Sequence, residues 1–295
     1  MSGAVIRIAV IAVVGIFCVQ ASSQPTSDVD QMPAGEFLRK AIDNELKAQS
    51  EDHSHWMYRV KSGSPGKEEE KIVVQTGQGE IDRLHDVNGQ PVTPDQDKQE
   101  ERRIESLVHS PRQQQKLQRA QAEDSRRTQQ LLKLLPDAVI ASYGLRRDGL
   151  VQILFKPNPA FHPPSHEASV FHHMAGEMWF DEQQHRLAEI EGHLVTEVKF
   201  GEGLLGHLDK GGEFHVKQAE VAPGYWEVTL MQVNMHGKVL FFKTIGVQEN
   251  EIRSNFQQVP DNLTLSQAAQ ELQKQLARKS ASRLVGNDLL PSARS

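Results

Sequence analysis

The amino-acid sequence predicts an α+β fold: a curved antiparallel β-barrel that does not close, with helices on its concave side. Three observations predict it. From Gly176 to Ile245 short segments alternate apolar and polar residues with a period of two, the mark of strands with one buried face. The turns between such segments are too short to carry a crossover to a parallel neighbour, so the strands must run antiparallel. A block at 97–135, rich in Gln, Arg, Glu and Leu and poor in β-branched residues, interrupts the strands and reads as helix.

The N-terminus reads as a secretory signal over 1–21. Arg7 supplies a positive n-region, Ile8–Val19 an apolar run shorter than the roughly 20 residues a span requires, and Val19-Gln20-Ala21 a cleavage site. Residues 22–35 read as a flexible leader. Glu36–Ser50 is the first helix, its apolar stripe formed by Phe37, Leu38, Ile42 and Leu46. His55–Lys61, Glu68–Thr76 and Glu80–Asp86 are expected strands, joined through Gly63-Ser-Pro-Gly66 and followed by the hairpin signal Val87-Asn88-Gly89-Gln90. Helices are expected at 97–109 and 112–134, parted by Ser110-Pro111, with Pro111 placed for a first turn. Strands return at Ala138–Arg146 and, through the turn Arg147-Asp148-Gly149, at Gly149–Lys156, and Pro157–Ser169 is irregular. The late series comprises Gly176–Asp181, Ala188–Leu194, Phe214–Val221, Tyr225–Met235 and Lys238–Ile245. Glu251–Pro260 closes the pattern as strand or loop. A helix at Leu265–Ala277 and a disordered tail complete the segment 261–295.

Composition narrows the chemistry. Thirty-three basic against thirty-nine acidic residues give a net charge of −6, which does not suit a polyanionic partner such as nucleic acid. Cys18 is the single cysteine and lies in the segment expected to be removed, leaving no thiol for a disulfide, a metal or a nucleophile. Thirteen histidines invite a metal site. The closest spacing, His162-Pro-Pro-Ser-His166, cannot be helical through two prolines, and His172-His173 would point to opposite faces of a strand, so no metal ligands are assigned. Gly201-Glu-Gly-Leu-Leu-Gly206 matches a dinucleotide glycine pattern, but no helix follows it, and it reads as a connector between strands. No catalytic residue and no cofactor is assigned. In the late strands Trp226, Val228 and Leu230 alternate with Tyr225, Met231 and Val233, so either both faces are covered or one lines a cavity.

An exported chain with an N-terminal helix, an antiparallel meander, a helical interruption and a return to strands resembles the LolA/LolB-like superfamily. That group contains periplasmic lipoprotein carriers and envelope sensor domains. The resemblance covers roughly 36–260 and is carried by element order, by Met178-Trp-Phe-Asp-Glu-Gln-Gln-His-Arg-Leu-Ala-Glu-Ile-Glu-Gly192, and by Val198-Lys-Phe200 and Leu240-Phe-Phe-Lys-Thr244. It implies a half-barrel whose concave side holds acyl chains beneath helices. The expectation is a periplasmic or secreted, non-catalytic binding protein for a lipid, a lipoprotein or another apolar ligand. Trp56, Tyr58, Met178, Phe180, Trp226, Val228 and Phe241 are the candidate lining. The alternatives are a structural or sensory envelope protein that meets another protein through helices 97–134 or a sheet edge, and a metal-dependent hydrolase using the 162–173 histidines.

Overall fold

The structure, a computed structural model, describes residues 32–165, 167–200, 206–239 and 243–275. The helices are α1 (Ala34–Glu51), α2 (Pro94–His109), α3 (Pro111–Ala138) and α4 (265–275), with a 3-10 turn at Ala168–His173. The strands before the helical block are β1 (His55–Ser64), β2 (Lys67–Thr76), β3 (Gly79–Val87) and β4 (Gln90–Pro91). After it come β5 (Val139–Arg147), β6 (Leu150–Pro157), β7 (Met174–Asp181) and β8 (Leu187–Leu194). The last are β9 (Val198–Phe200), β10 (Gly206–Leu208), β11 (Glu213–Ala222), β12 (Tyr225–Val239) and β13 (Lys243–Val259).

All thirteen strands belong to one sheet, ordered β4-β3-β2-β1-β13-β12-β11-β8-β7-β6-β5, with β10 on the end of β12 and β9 beside it. Every pairing is antiparallel. The sheet does not close, since β4 and β5 remain at its two edges. Tight hairpins are set by Asn88-Gly89 (φ 52° and 75°) and Asp148-Gly149 (φ 50° and 77°), paired positive-φ residues whose twist matches that of the flanking strands. No helix among the described residues is long and apolar enough to cross a membrane.

Side-chain contacts show how strongly the sheet curls. Trp56, Tyr58, Val60 and Val73 form one cluster with Val221, Ala222, Tyr225 and Phe256. In a flat sheet β11, three strands from β1, would lie about 14 Å away. Contact between them requires the sheet to bend and the tip of the β11–β12 hairpin to fold toward this cluster, which marks the concave face. The register carries that face from Val60 and Ser62 through Glu251, Met231, Val216 and Ile190 to Met178 and Ile153. α1 lies on the same side, with Phe37 edge-on to Phe180 at 5.6 Å. Its fully buried Phe37, Leu38 and Ile42 each contribute roughly 1.5–3 kcal/mol of burial. On the opposite face of β1–β3, Met57, Ile72, Val74 and Ile81 pack under Ile104 of α2 and Leu265, Ala268 and Leu272 of α4.

Several boundaries differ from the sequence expectation for local reasons. α2 starts at Pro94, before 97, because Thr93 and Gln96 form a reciprocal capping box. α3 runs past 134 to Ala138 with Pro136 inside its last turn. Leu46 is half-buried, and Glu45 takes the inward position on α1. The gap at 236–237 between two expected strands is absent: β12 continues to Val239 and β13 starts at Lys243, so the expected strand Lys238–Ile245 is divided between them. β10 pairs alongside β12 at Gly237, where a Cβ would overlap the His207 carbonyl. The closing segment is the long strand β13. The 201–212 connector follows β9 and carries β10, with 201–205 outside the described residues. The signal, most of the leader and the C-terminal tail also fall outside them.

Candidate functional site

The hairpin of β11 and β12 positions the site. β12 pairs with β13 only from Leu230↔Ile252 onward, whereas Tyr225–Val228 pair with β11 alone. Register shifts at Lys217/Gln218 and Glu220/Ala222 let the tip turn away from the sheet. One side of the tip meets β1, where Tyr225 lies edge-on to Trp56 at 5.8 Å. The other meets the turn between β7 and β8, where the Trp226 indole N–H donates to Gln184 Oε1 at 3.0 Å. Apolar residues on both faces of the strand tip therefore have protein against them, although Tyr225, Trp226 and Val228 each stay only half-buried.

Between the tip, α1, α3 and β1–β3 lies a cavity of about 800 Å3. Its lining includes Trp226 and Val228, but its character is set by the carboxylates Glu45, Asp52, Glu80, Asp124 and Glu227 and the guanidinium groups of Arg186 and Arg253. Glu45 has no exposed surface and is saturated with donors. Arg186 Nε and Nη2 reach it at 2.8 and 3.4 Å, Gln49 Nε2 at 3.1 Å and Gln218 Nε2 at 3.5 Å. Glu80 Oε1 accepts from Gln75 Nε2 at 3.1 Å, with the Tyr58 hydroxyl at 3.5 Å. Arg253 donates from Nε to Glu251 and sits 5.4 Å from the Tyr58 ring centre. Burial, with Glu80 beside it, pushes the Tyr58 hydroxyl above the usual phenol range.

Glu227 differs from its neighbours. Among the described residues it has no hydrogen-bond or ion-pair partner. Burial, together with the charges of Asp52 and Glu80, pushes its carboxyl up to about 7 against the opposing pull of Arg253 and Arg186. It is an acid whose protonation changes near neutrality inside a space large enough for a ligand.

The residues expected to line a cavity are divided by the fold. Trp226 and Val228 do line it. Trp56 and Tyr58, each 2% exposed, fill the apolar cluster beside it, and only the Tyr58 hydroxyl reaches its wall. Met178 and Phe180 have no exposed surface, and Phe180 lies under Phe37 of α1. Phe241 lies outside the described residues. Sequence reasoning passed over Glu45, Glu80, Glu227, Arg186 and Arg253. One signal was available: Glu45 follows Leu38, Ala41 and Ile42 on the apolar stripe of α1, where a carboxylate must have a buried partner.

A second constellation lies on the other face of β8 and β11. Candidate ligand atoms of Glu189, Glu191 and His215 fall within 4.8 Å of one another. The same group is internally neutralised: Lys217 Nζ lies 2.9 Å and Arg147 Nη2 3.4 Å from Glu189, and His215 Nε2 lies 2.6 Å from Glu189 and 3.1 Å from Glu191. Burial raises the Glu189 carboxyl, but hydrogen bonds from Lys217 and His215 and the Lys217 charge outweigh it and hold the group below the usual carboxylate range. Of the 162–173 histidines, His172 and His173 engage the Phe161 carbonyl and Thr196 Oγ1. Comparisons with protein-family models, curated proteins and solved structures returned no match for the chain.

Proposed function

We propose that this chain is an exported, non-catalytic binding protein that holds a small polar ligand in the cavity between α1, α3 and the hairpin tip. The cavity carries the reading: its volume of about 800 Å3 is within the range of small-molecule sites, and its polar groups converge from α1, β3, β12 and β13. Binding is favoured over catalysis because Glu45, Glu80 and Arg186 are held by protein partners, as recognition groups are. The element order that resembles LolA/LolB-like proteins supports taking the concave side as the ligand side. The ligand class changes, however. An acyl chain would strip water from Asp52, Glu80 and Glu227 without replacing its hydrogen bonds, at a cost of several kcal/mol.

Native mass spectrometry of protein purified from its own cells tests this reading. A small polar molecule should be retained by the wild type and lost in Val228→Phe, which pushes a larger side chain into the cavity from its wall. If wild type and variant retain the same molecules, or neither retains any, the cavity is not a ligand site.

One observation favours a second reading, an envelope interaction protein. β5 is an edge strand, and Ile140, Leu145 and neighbouring Leu154 are 44%, 69% and 41% exposed. Crosslinks from that edge to a single partner would support it, and scattered crosslinks would remove it.

A further inference from the structure

The carboxylates around the cavity outnumber the cations that pair with them. Glu45 is satisfied by Arg186, and Arg253 is drawn to Glu251. Glu227 is left facing the space without a counter-ion, with two further carboxylates, Asp52 at the end of α1 and Glu80 on β3, near enough to raise its proton affinity. A lone carboxylate in a dry core would be neutralised by a proton and packed over. Here it borders an open volume, and the lining as a whole carries five carboxylates against two guanidinium groups. A cation from outside the chain would balance this excess of negative charge.

We infer that the cavity ligand is an amine cation and that Glu227 is its counter-ion, with Glu80 and Asp52 accepting its remaining N–H groups. This deepens the binding reading above and rests on it. An ammonium group carries three donors and no acceptor, which matches a lining rich in acceptors. Two sources present this chemistry: a free polyamine and the lysine side chains of a short peptide. A monovalent anion or a fatty acid would meet the wrong sign of charge.

Occupancy is linked to protons. The ammonium needs Glu227 ionised, so affinity rises as pH climbs through about 7, and binding expels the proton that Glu227 holds. The other charged and titratable groups facing this space are Asp52 of α1, His55 and Tyr58 of β1, Glu80 of β3, Asp124 of α3, Arg186 ahead of β8, and Glu251 and Arg253 of β13. Replacing Glu227 separates its share from theirs.

The test is isothermal titration of the full chain with spermidine, with a trilysine peptide and with laurate, at about pH 6 and about pH 8. An amine should bind with unit stoichiometry and about tenfold more tightly at the higher pH, and laurate should not bind. Glu227→Gln should weaken amine binding by about tenfold or more at the higher pH and flatten the pH dependence. Its circular dichroism should match wild type, and its melting temperature should be no lower. Preference for spermidine points to a free polyamine, and preference for trilysine to a basic peptide. Equal amine binding by wild type and Glu227→Gln overturns the inference. So does the absence of amine binding, and if laurate or a co-purified molecule is then held by wild type but not by Val228→Phe, cavity binding survives without the cation. Retention of nothing by either protein removes both readings.

Discussion

Ionising Glu227 inside the cavity costs stability, and the sign follows from its titration. The carboxyl gives up its proton in the ordinary carboxylate range when unfolded and at about 7 when folded. Between those values the folded state holds the extra proton, so stability falls as pH rises through this window, and the full cost persists above it. Glu227→Gln should therefore stabilise the protein by roughly 2 kcal/mol near pH 8, after allowance for solvent screening in the cavity, and by almost nothing near pH 4. Urea unfolding at the two pH values checks this, and equal gains at both would show that the charge is not the cause. The Glu45–Arg186 pair poses the opposite case. Arg186→Met would leave Glu45 buried without its cation, and the expected loss is about 3–5 kcal/mol in the same measurement. A loss below about 1 kcal/mol would mean that Gln49 and Gln218 suffice to hold the carboxylate.

At the scale of elements, the strands depend on glycines in ways the hydropathy pattern does not reveal. Gly176 of β7 faces Gly192 of β8, and a Cβ on Gly176 would overlap the Glu191 carbonyl. Gly192 in turn lies under the ring of Phe214 on β11. These positions allow the close approach that a tightly curled sheet demands. Gly176→Ala should cost about 1–3 kcal/mol, as overpacking does, with a lowered thermal midpoint as the readout. An unchanged midpoint would show that the strands can separate locally without penalty. The turn signals Asn88-Gly89 and Asp148-Gly149 were legible because a two-residue hairpin imposes its own backbone angles. A glycine that lets a paired strand approach closely, as Gly237 does for β10, looks in sequence like one that ends a strand.

At the scale of the whole molecule, β13 joins the two halves of the sheet. It pairs with β1 from His55↔Val259 to Gly63↔Asn250 and with β12 on its other edge, so the halves before and after the helical block meet only through it in the strand order. Such pairings across some 200 residues close late and slowly. A chain ending before Lys243 should unfold in urea less cooperatively than the full chain, as β1–β3 and β5–β12 would share no strand pairing. A truncated chain with one transition of undiminished slope would contradict this view of the architecture.

The sequence by itself determined the class of the fold, most strands, the hairpin turns and the helical block. Each of these follows from local periodicity or from backbone angles that a few neighbouring residues impose. Only the tertiary structure decided what the concave face contains. The inward turn of the hairpin tip, the burial of Phe180 under α1, and the convergence of Glu45, Glu80, Glu227, Arg186 and Arg253 all join residues far apart in the chain. An apolar residue reads the same whether it fills a core or lines a cavity. A glutamate reads as solvated until the fold leaves it facing a space without a partner, because electrostatic neighbours are set by distance in space and not along the chain.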